Sequence, residues 1–106
     1  MTTALEQIKI PGVEIVNGEA HVPLGRGEDL NVEVPASSLS ELDSRVRLIV
    51  EGRVVKTLDV TDETQNKPWS THIPHHVLKE RLKLTYTVFV YEEEPSPIVD
   101  VHIEFT

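Results

Sequence analysis

From Leu82 to Tyr91 the chain reads Leu-Lys-Leu-Thr-Tyr-Thr-Val-Phe-Val-Tyr, which places Leu82, Leu84, Tyr86, Val88 and Val90 on one face of an extended backbone. After a Glu/Pro/Ser break, Val99, Val101, Ile103 and Phe105 alternate with Asp100, His102 and Glu104. Side chains on a strand point to opposite faces with a period of two, so both runs read as half-buried strands joined as an antiparallel pair. That feature constrains the architecture far more than it constrains the activity.

Turn formers interrupt the remaining sequence at short intervals: Pro11-Gly12, Asn17-Gly18, Pro23 to Gly27, Pro35 to Ser38, Gly52, Asn66 to Pro68, Pro74 and Pro95 to Pro97. Between them lie stretches rich in Val, Ile, Leu and Thr, the signature of an all-β sandwich. The spacing predicts strands at Gln7–Ile10, Val13–Val16, Leu30–Val34, Arg45–Val50, Arg53–Val60, Ser70–Ile73, Lys83–Tyr91 and Ile98–Phe105. Gly52, between Val50 and Val54, marks a tight hairpin because glycine takes positive φ at little cost. Pro74 to Arg81 suits one or two helical turns packed by Val77 and Leu78. Ser37 to Leu42 suits a single turn capped by Ser38 with Glu41 three residues on. The expected core is Ile8, Ile10, Val32, Val34, Val46, Leu48, Val50, Leu84, Tyr86, Val88, Val101 and Ile103. Burying each is worth roughly 1.5–3 kcal/mol before entropy is subtracted.

With 106 residues, the chain suits one domain and one core, with residues 1–4 as a loose tail and 5–106 as the folded unit. No apolar run approaches the roughly 20 residues of a membrane helix, so no membrane insertion is expected. No basic start followed by an apolar stretch is visible, which leaves a cytoplasmic protein or a piece of a larger exported one. Cysteine is absent, which removes disulfides, thiolate chemistry and Cys-based zinc sites together. Asp and Glu outnumber Lys and Arg by 18 to 10, a formal charge of −8. That field repels a polyanion, and no basic cluster offsets it, so nucleic acid is not an expected partner. Acidity of this kind serves solubility.

The order of these segments carries a resemblance. A first strand containing Pro11-Gly12 precedes Asp29-Leu30-Asn31-Val32-Glu33-Val34-Pro35, then an acidic turn and a strand ending in glycine, Leu42 to Gly52. Ile73-Pro74, Leu84-Thr85-Tyr86-Thr87-Val88 and a last strand opened by Ser96 complete it. Together these resemble the bacterial immunoglobulin-like repeats of large surface and adhesin-type proteins, over nearly the whole chain. The resemblance implies an immunoglobulin-like antiparallel β-sandwich of seven to eight strands with at most one short helical turn. It also implies a spacer or adhesive module arranged in tandem. Within that family Tyr86 has two readings: a tyrosine corner, its hydroxyl bonded to upstream backbone, or an ordinary inward-facing aromatic. The chain has no Cys pair and no Trp on the strand ending at Gly52, so it departs from the antibody type; Trp69, beside Pro68, has no evident role.

Candidate chemistry is sparse. His72, His75 and His76, with His21 and His102 elsewhere, are residue types that bind transition metals, but Pro74 interrupts the run and adjacent His75 and His76 diverge. Asp59, Asp62 and Glu63, and Glu92, Glu93 and Glu94, are oxygen donors of the kind calcium takes, yet their spacing fits no calcium loop. Solvated loop charge that discourages edge pairing explains them better. Gly25-Arg26-Gly27 is too short to cradle a phosphate and reads as a turn before Leu30. No Ser sits on a nucleophile elbow. No catalytic, cofactor-binding or metal-ligating residue is assigned, no cofactor is expected, and the chain is not expected to be an enzyme.

Function is expected to be non-catalytic: a spacer or recognition module of a larger bacterial surface or secreted protein, with a protein partner or neighbouring repeats on its loops or edges. The second reading is a small stand-alone accessory protein, cytoplasmic in that case, binding a partner or itself through an exposed strand edge. The third is a calcium-dependent adhesive or carbohydrate-binding module. Oligomeric state stays open.

Overall fold

A computed structural model describes residues 5–106; the tail expected at residues 1–4 lies outside the described residues. Eight strands form two packed sheets: β1 Glu19–Leu24, β2 Leu30–Val34, β3 Arg45–Val50, β4 Arg53–Asp59, β5 Trp69–Ile73, β6 Arg81–Phe89, β7 Glu93–Pro95 and β8 Val99–Phe105. The larger sheet runs β1-β8-β6-β3-β4 with β7 also on β6, and the smaller pairs β2 with β5. The molecule is an all-β sandwich.

The alternation in the sequence is what the core uses. Leu82, Leu84, Tyr86 and Val88 of β6 face inward, as do Val99, Val101 and Ile103 of β8, against Leu30, Val32 and Val34 of the smaller sheet. All twelve expected core residues are buried, and Ala20, Val22, Leu30, Leu39, Val60, Ile73, Leu82 and Val99 join them. Trp69 opens β5 opposite Val34 and packs half-buried on the core. Glu51 and Gly52, both at positive φ (50° and 78°), make the two-residue turn between β3 and β4, a conformation that matches the twist of the strands it joins.

Several expectations are corrected. Gln7–Ile10 and Val13–Val16 are not strands: they make only the isolated bridges Lys9 with Glu33, Ile10 with Val13, and Val16 with Glu19. Alternation survives there, since Val13 and Ile15 are half-buried, but a strand exists only where a partner runs beside it. The Asn17-Gly18 turn instead leads into β1, whose His21 and Pro23 disguised it; Pro is tolerated because β1 is a sheet edge. β1 also runs parallel to β8, the one parallel strand pairing among the described residues, from Glu19 opposite Asp100 to Leu24 opposite Phe105. A 3-10 turn occurs in each of the two segments expected to turn, Ala36–Leu39 and His75–Val77. Ser38 caps neither: it is buried inside the first turn, and its hydroxyl is used elsewhere. Pro74 to Arg81 holds no more helix than that second turn, packed by Val77 and Leu78 as expected.

The break at Pro95 to Pro97 has its own device. β6 pairs β7 through Thr87–Phe89 and β8 through Arg81–Leu84, so a gap opens beside Thr85 and Tyr86. Ser96 fills it. Its N–H donates to the Tyr86 carbonyl (2.8 Å), its Oγ accepts from the Tyr86 N–H (3.0 Å), and the Thr85 hydroxyl donates to its carbonyl (2.9 Å). A serine side chain thus stands in for the backbone acceptor that the interrupted ladder does not offer to the Tyr86 N–H.

Candidate functional site

Strand register gathers two of the three neighbouring histidines onto a residue that local sequence does not single out. Because Leu30 of β2 lies opposite Ile73 of β5, Asp29, one residue before β2, faces the start of the Pro74 connector. The backbone N–H of His75 donates to Asp29 Oδ1 at 2.8 Å, the His75 ring lies 3.3 Å from the same oxygen, and His72 Nε2 is 3.7 Å from Oδ2. The His75 N–H holds Asp29 below the usual carboxylate range; the His75 ring and the potential of both imidazoles act in the same direction, against a burial cost. The His76 ring stands edge-on to that of His75 at 6.0 Å, with no hydrogen bond or ion pair to Asp29 among the described residues. His21 and His102, register partners on β1 and β8, stack with centroids 4.9 Å apart. No group of three or more His, Asp or Glu among the described residues is arranged to hold a metal ion.

Both acidic stretches come to one end of the sandwich. Asp59 pairs with Arg45 at 3.0 Å, and Arg45 lies opposite Phe89 near the start of the second stretch. Asp62 and Glu63 sit in a turn closed by Thr61 and Thr64, in which the Thr61 N–H donates to Thr64 Oγ1 at 2.8 Å. Glu93 belongs to β7, accepting from the Thr87 hydroxyl at 2.8 Å and lying 3.7 Å from Arg47. Gly25 to Gly27 is the expected turn, with the Glu28 N–H bonded to the Gly25 carbonyl.

For Tyr86 the structure follows the first of the two readings: its ring is fully buried and its hydroxyl donates to upstream backbone, the carbonyl of Glu6, although that partner lies 80 residues back rather than in a nearby corner. The single hydroxyl proton is thereby used, so Ser38 Oγ is the donor in its 2.7 Å contact with Tyr86 Oη. Burial pushes the Tyr86 hydroxyl's pKa up; the Ser38 bond pulls the other way and the Glu6 charge adds to the rise. One side chain in the core therefore fastens the entering chain and the first 3-10 turn to β6. Among the described residues no buried side-chain nitrogen or oxygen lacks a hydrogen-bond partner.

Beside that fastening, at the acidic end, lies an open groove of ≈ 540 Å³. Leu5, Val88 and Val90 line it with Tyr91, and Glu41, Glu92 and Glu94 stand around them. Tyr91 is 93% exposed and Phe89 48%. The alternating pattern already places Phe89 and Tyr91 opposite the buried face; Val90, expected to face inward, is the residue that departs from it, at 37% exposed. The chain matches no protein-family model, and no curated protein matches it.

Proposed function

We propose that the chain is a non-catalytic immunoglobulin-like module, a spacer or recognition domain of a larger bacterial surface or secreted protein. One observation carries the reading. Leu5 lines the groove beside Val88 and Val90, at the far end of β6, whereas Thr106 bonds Leu24 and Arg26 beyond the opposite end, past the pairing of His102 with Arg81. At the rise of a strand these points are about 35 Å apart, nearly the whole 41 Å long axis of the molecule. A chain that enters at one end and leaves at the other is what end-to-end stringing of modules requires. A satisfied buried polar inventory and titratable groups that lie mostly on the surface support recognition or spacing over catalysis. No helix among the described residues is long and apolar enough to cross a membrane.

The test is the size of the native polypeptide, by immunoblot of the cells that make it and of their surface fraction. A species of many domains' mass at the surface is expected. A band near the 11.9 kDa of this chain, inside the cell, overturns the reading in favour of a stand-alone protein. That alternative draws on β4, whose outer edge has no partner strand among the described residues and whose Val54 is half-exposed.

A further inference from the structure

The end at which the chain enters combines features that a spacer alone does not need. Tyr91, one of the five aromatic residues of the chain, stands 93% exposed on the wall of the groove floored by Leu5, Val88 and Val90. Solvent-exposed aromatics next to an apolar concavity are what interface centres are made of, because a tyrosine offers a large contact area at little cost in side-chain entropy. The surround is uniformly anionic: Glu41, Glu92 and Glu94, with the hydroxyls of Ser37 and Ser40. Among the described residues none of these three carboxylates lies within ion-pair distance of a Lys, Arg or His.

We infer that this groove docks a short protein segment presenting an Arg or Lys beside an apolar side chain. The inference rests on the recognition reading above and names its site and the chemistry of its partner. The apolar side chain fits the Leu5–Val88–Val90 floor, which excludes water from it. The cation meets three carboxylates that lack a counter-charge, and the face of Tyr91 attracts it through the ring quadrupole. Anionic partners are repelled by the same rim. A groove of ≈ 540 Å³ holds the side chains of a few residues, so the occupant is a loop or linear segment, not the face of a second domain.

The experiment uses the whole chain, labelled with nitrogen-15, and three synthetic nonapeptides. Each has a central Leu, flanked by Arg and Lys in the first, by Ser in the second and by Glu in the third. The basic peptide is expected to shift the amides of Ser37–Glu41 and Val88–Glu94, with binding that weakens as salt rises. Tyr91→Ala, and separately Glu92→Gln with Glu94→Gln, each lower its affinity about fivefold or more while the melting midpoint stays put. Shifts confined to β4 or the His75 end, equal binding of the serine peptide, or no shift at millimolar peptide each overturn the inference. A free polyamine binding as tightly as the basic peptide also overturns it, since no protein segment is then needed. If the native polypeptide proves large and surface-borne while the groove stays silent, the docking inference alone has failed. If the groove binds but the protein is small and intracellular, the surface reading alone has failed.

Discussion

At the entry end of the sandwich, Tyr86 holds the incoming chain and the first 3-10 turn through a buried, uncharged pair of hydrogen bonds to Glu6 and Ser38. At the exit end, Asp29 holds the second 3-10 turn and β5 through an exposed, charged set to His75 and His72. The same task, pinning a short turn to a strand, is done by desolvated hydroxyls in one place and by a solvated carboxylate in the other. The two should therefore respond to different perturbations. A buried hydrogen bond is insulated from salt, and leaving either partner alone is costly, whereas a surface ion pair is screened and contributes little.

Removing the ring at the entry end tests this most severely. Tyr86→Ala opens a cavity in the core and is expected to cost about 3–5 kcal/mol, read as a lowered urea midpoint. Tyr86→Phe keeps the ring and strands Ser38 Oγ and the Glu6 carbonyl, for a loss of about 1–3 kcal/mol. A loss near zero would mean that water replaces the hydroxyl, and the contrast between the ends would collapse. In a double-mutant cycle Ser38→Ala should add little to Tyr86→Phe, because each change removes the same contact.

The two ends should also fail at opposite extremes of pH. Tyr86 has its hydroxyl pKa raised above the ordinary 10.0, so the folded state keeps that proton more tightly than the unfolded chain. Its stabilisation is whole below about pH 10 and is lost as pH rises through the folded value; Tyr86→Phe should flatten that basic limb of the stability profile. Asp29 has its pKa lowered beneath the ordinary 3.8. Its contribution is present above that value and lost as pH falls through the folded one; Asp29→Asn should flatten the acid limb below pH 3.8 and leave the basic limb alone. Unchanged acid unfolding in that variant would show that the Asp29 contacts are geometric only. The smallest effect belongs to His76, which among the described residues makes no ion pair with Asp29: His76→Ala should move stability by no more than about 0.5 kcal/mol. The exit end reads as a two-histidine device only if this holds.

Strands β2 and β3 run over the same residues that alternation alone predicts, and the twelve expected core positions are all buried. Alternation is a local property: once a segment is extended, its own side chains decide which face is wet. The strand expected at Val13–Val16 shows the limit, for its alternation is intact and no partner runs beside it. The candidate sites were less legible than the fold. The histidines were visible, but Asp29, which organises two of them, is chosen by the register of β2 on β5.

Composition and period thus determined by themselves that this chain is an all-β sandwich, which twelve residues stand at the centre of its core and that Gly52 turns the β3–β4 hairpin. Tertiary structure alone decided that β1 lies parallel to β8, that Tyr86 reaches Glu6, that Ser96 completes an interrupted ladder and that Leu5 and Tyr91 line one groove. The reason is range. A period of two is written into neighbouring residues, whereas direction, register and convergence depend on which distant segments find each other, and that choice is made by packing the whole core at once.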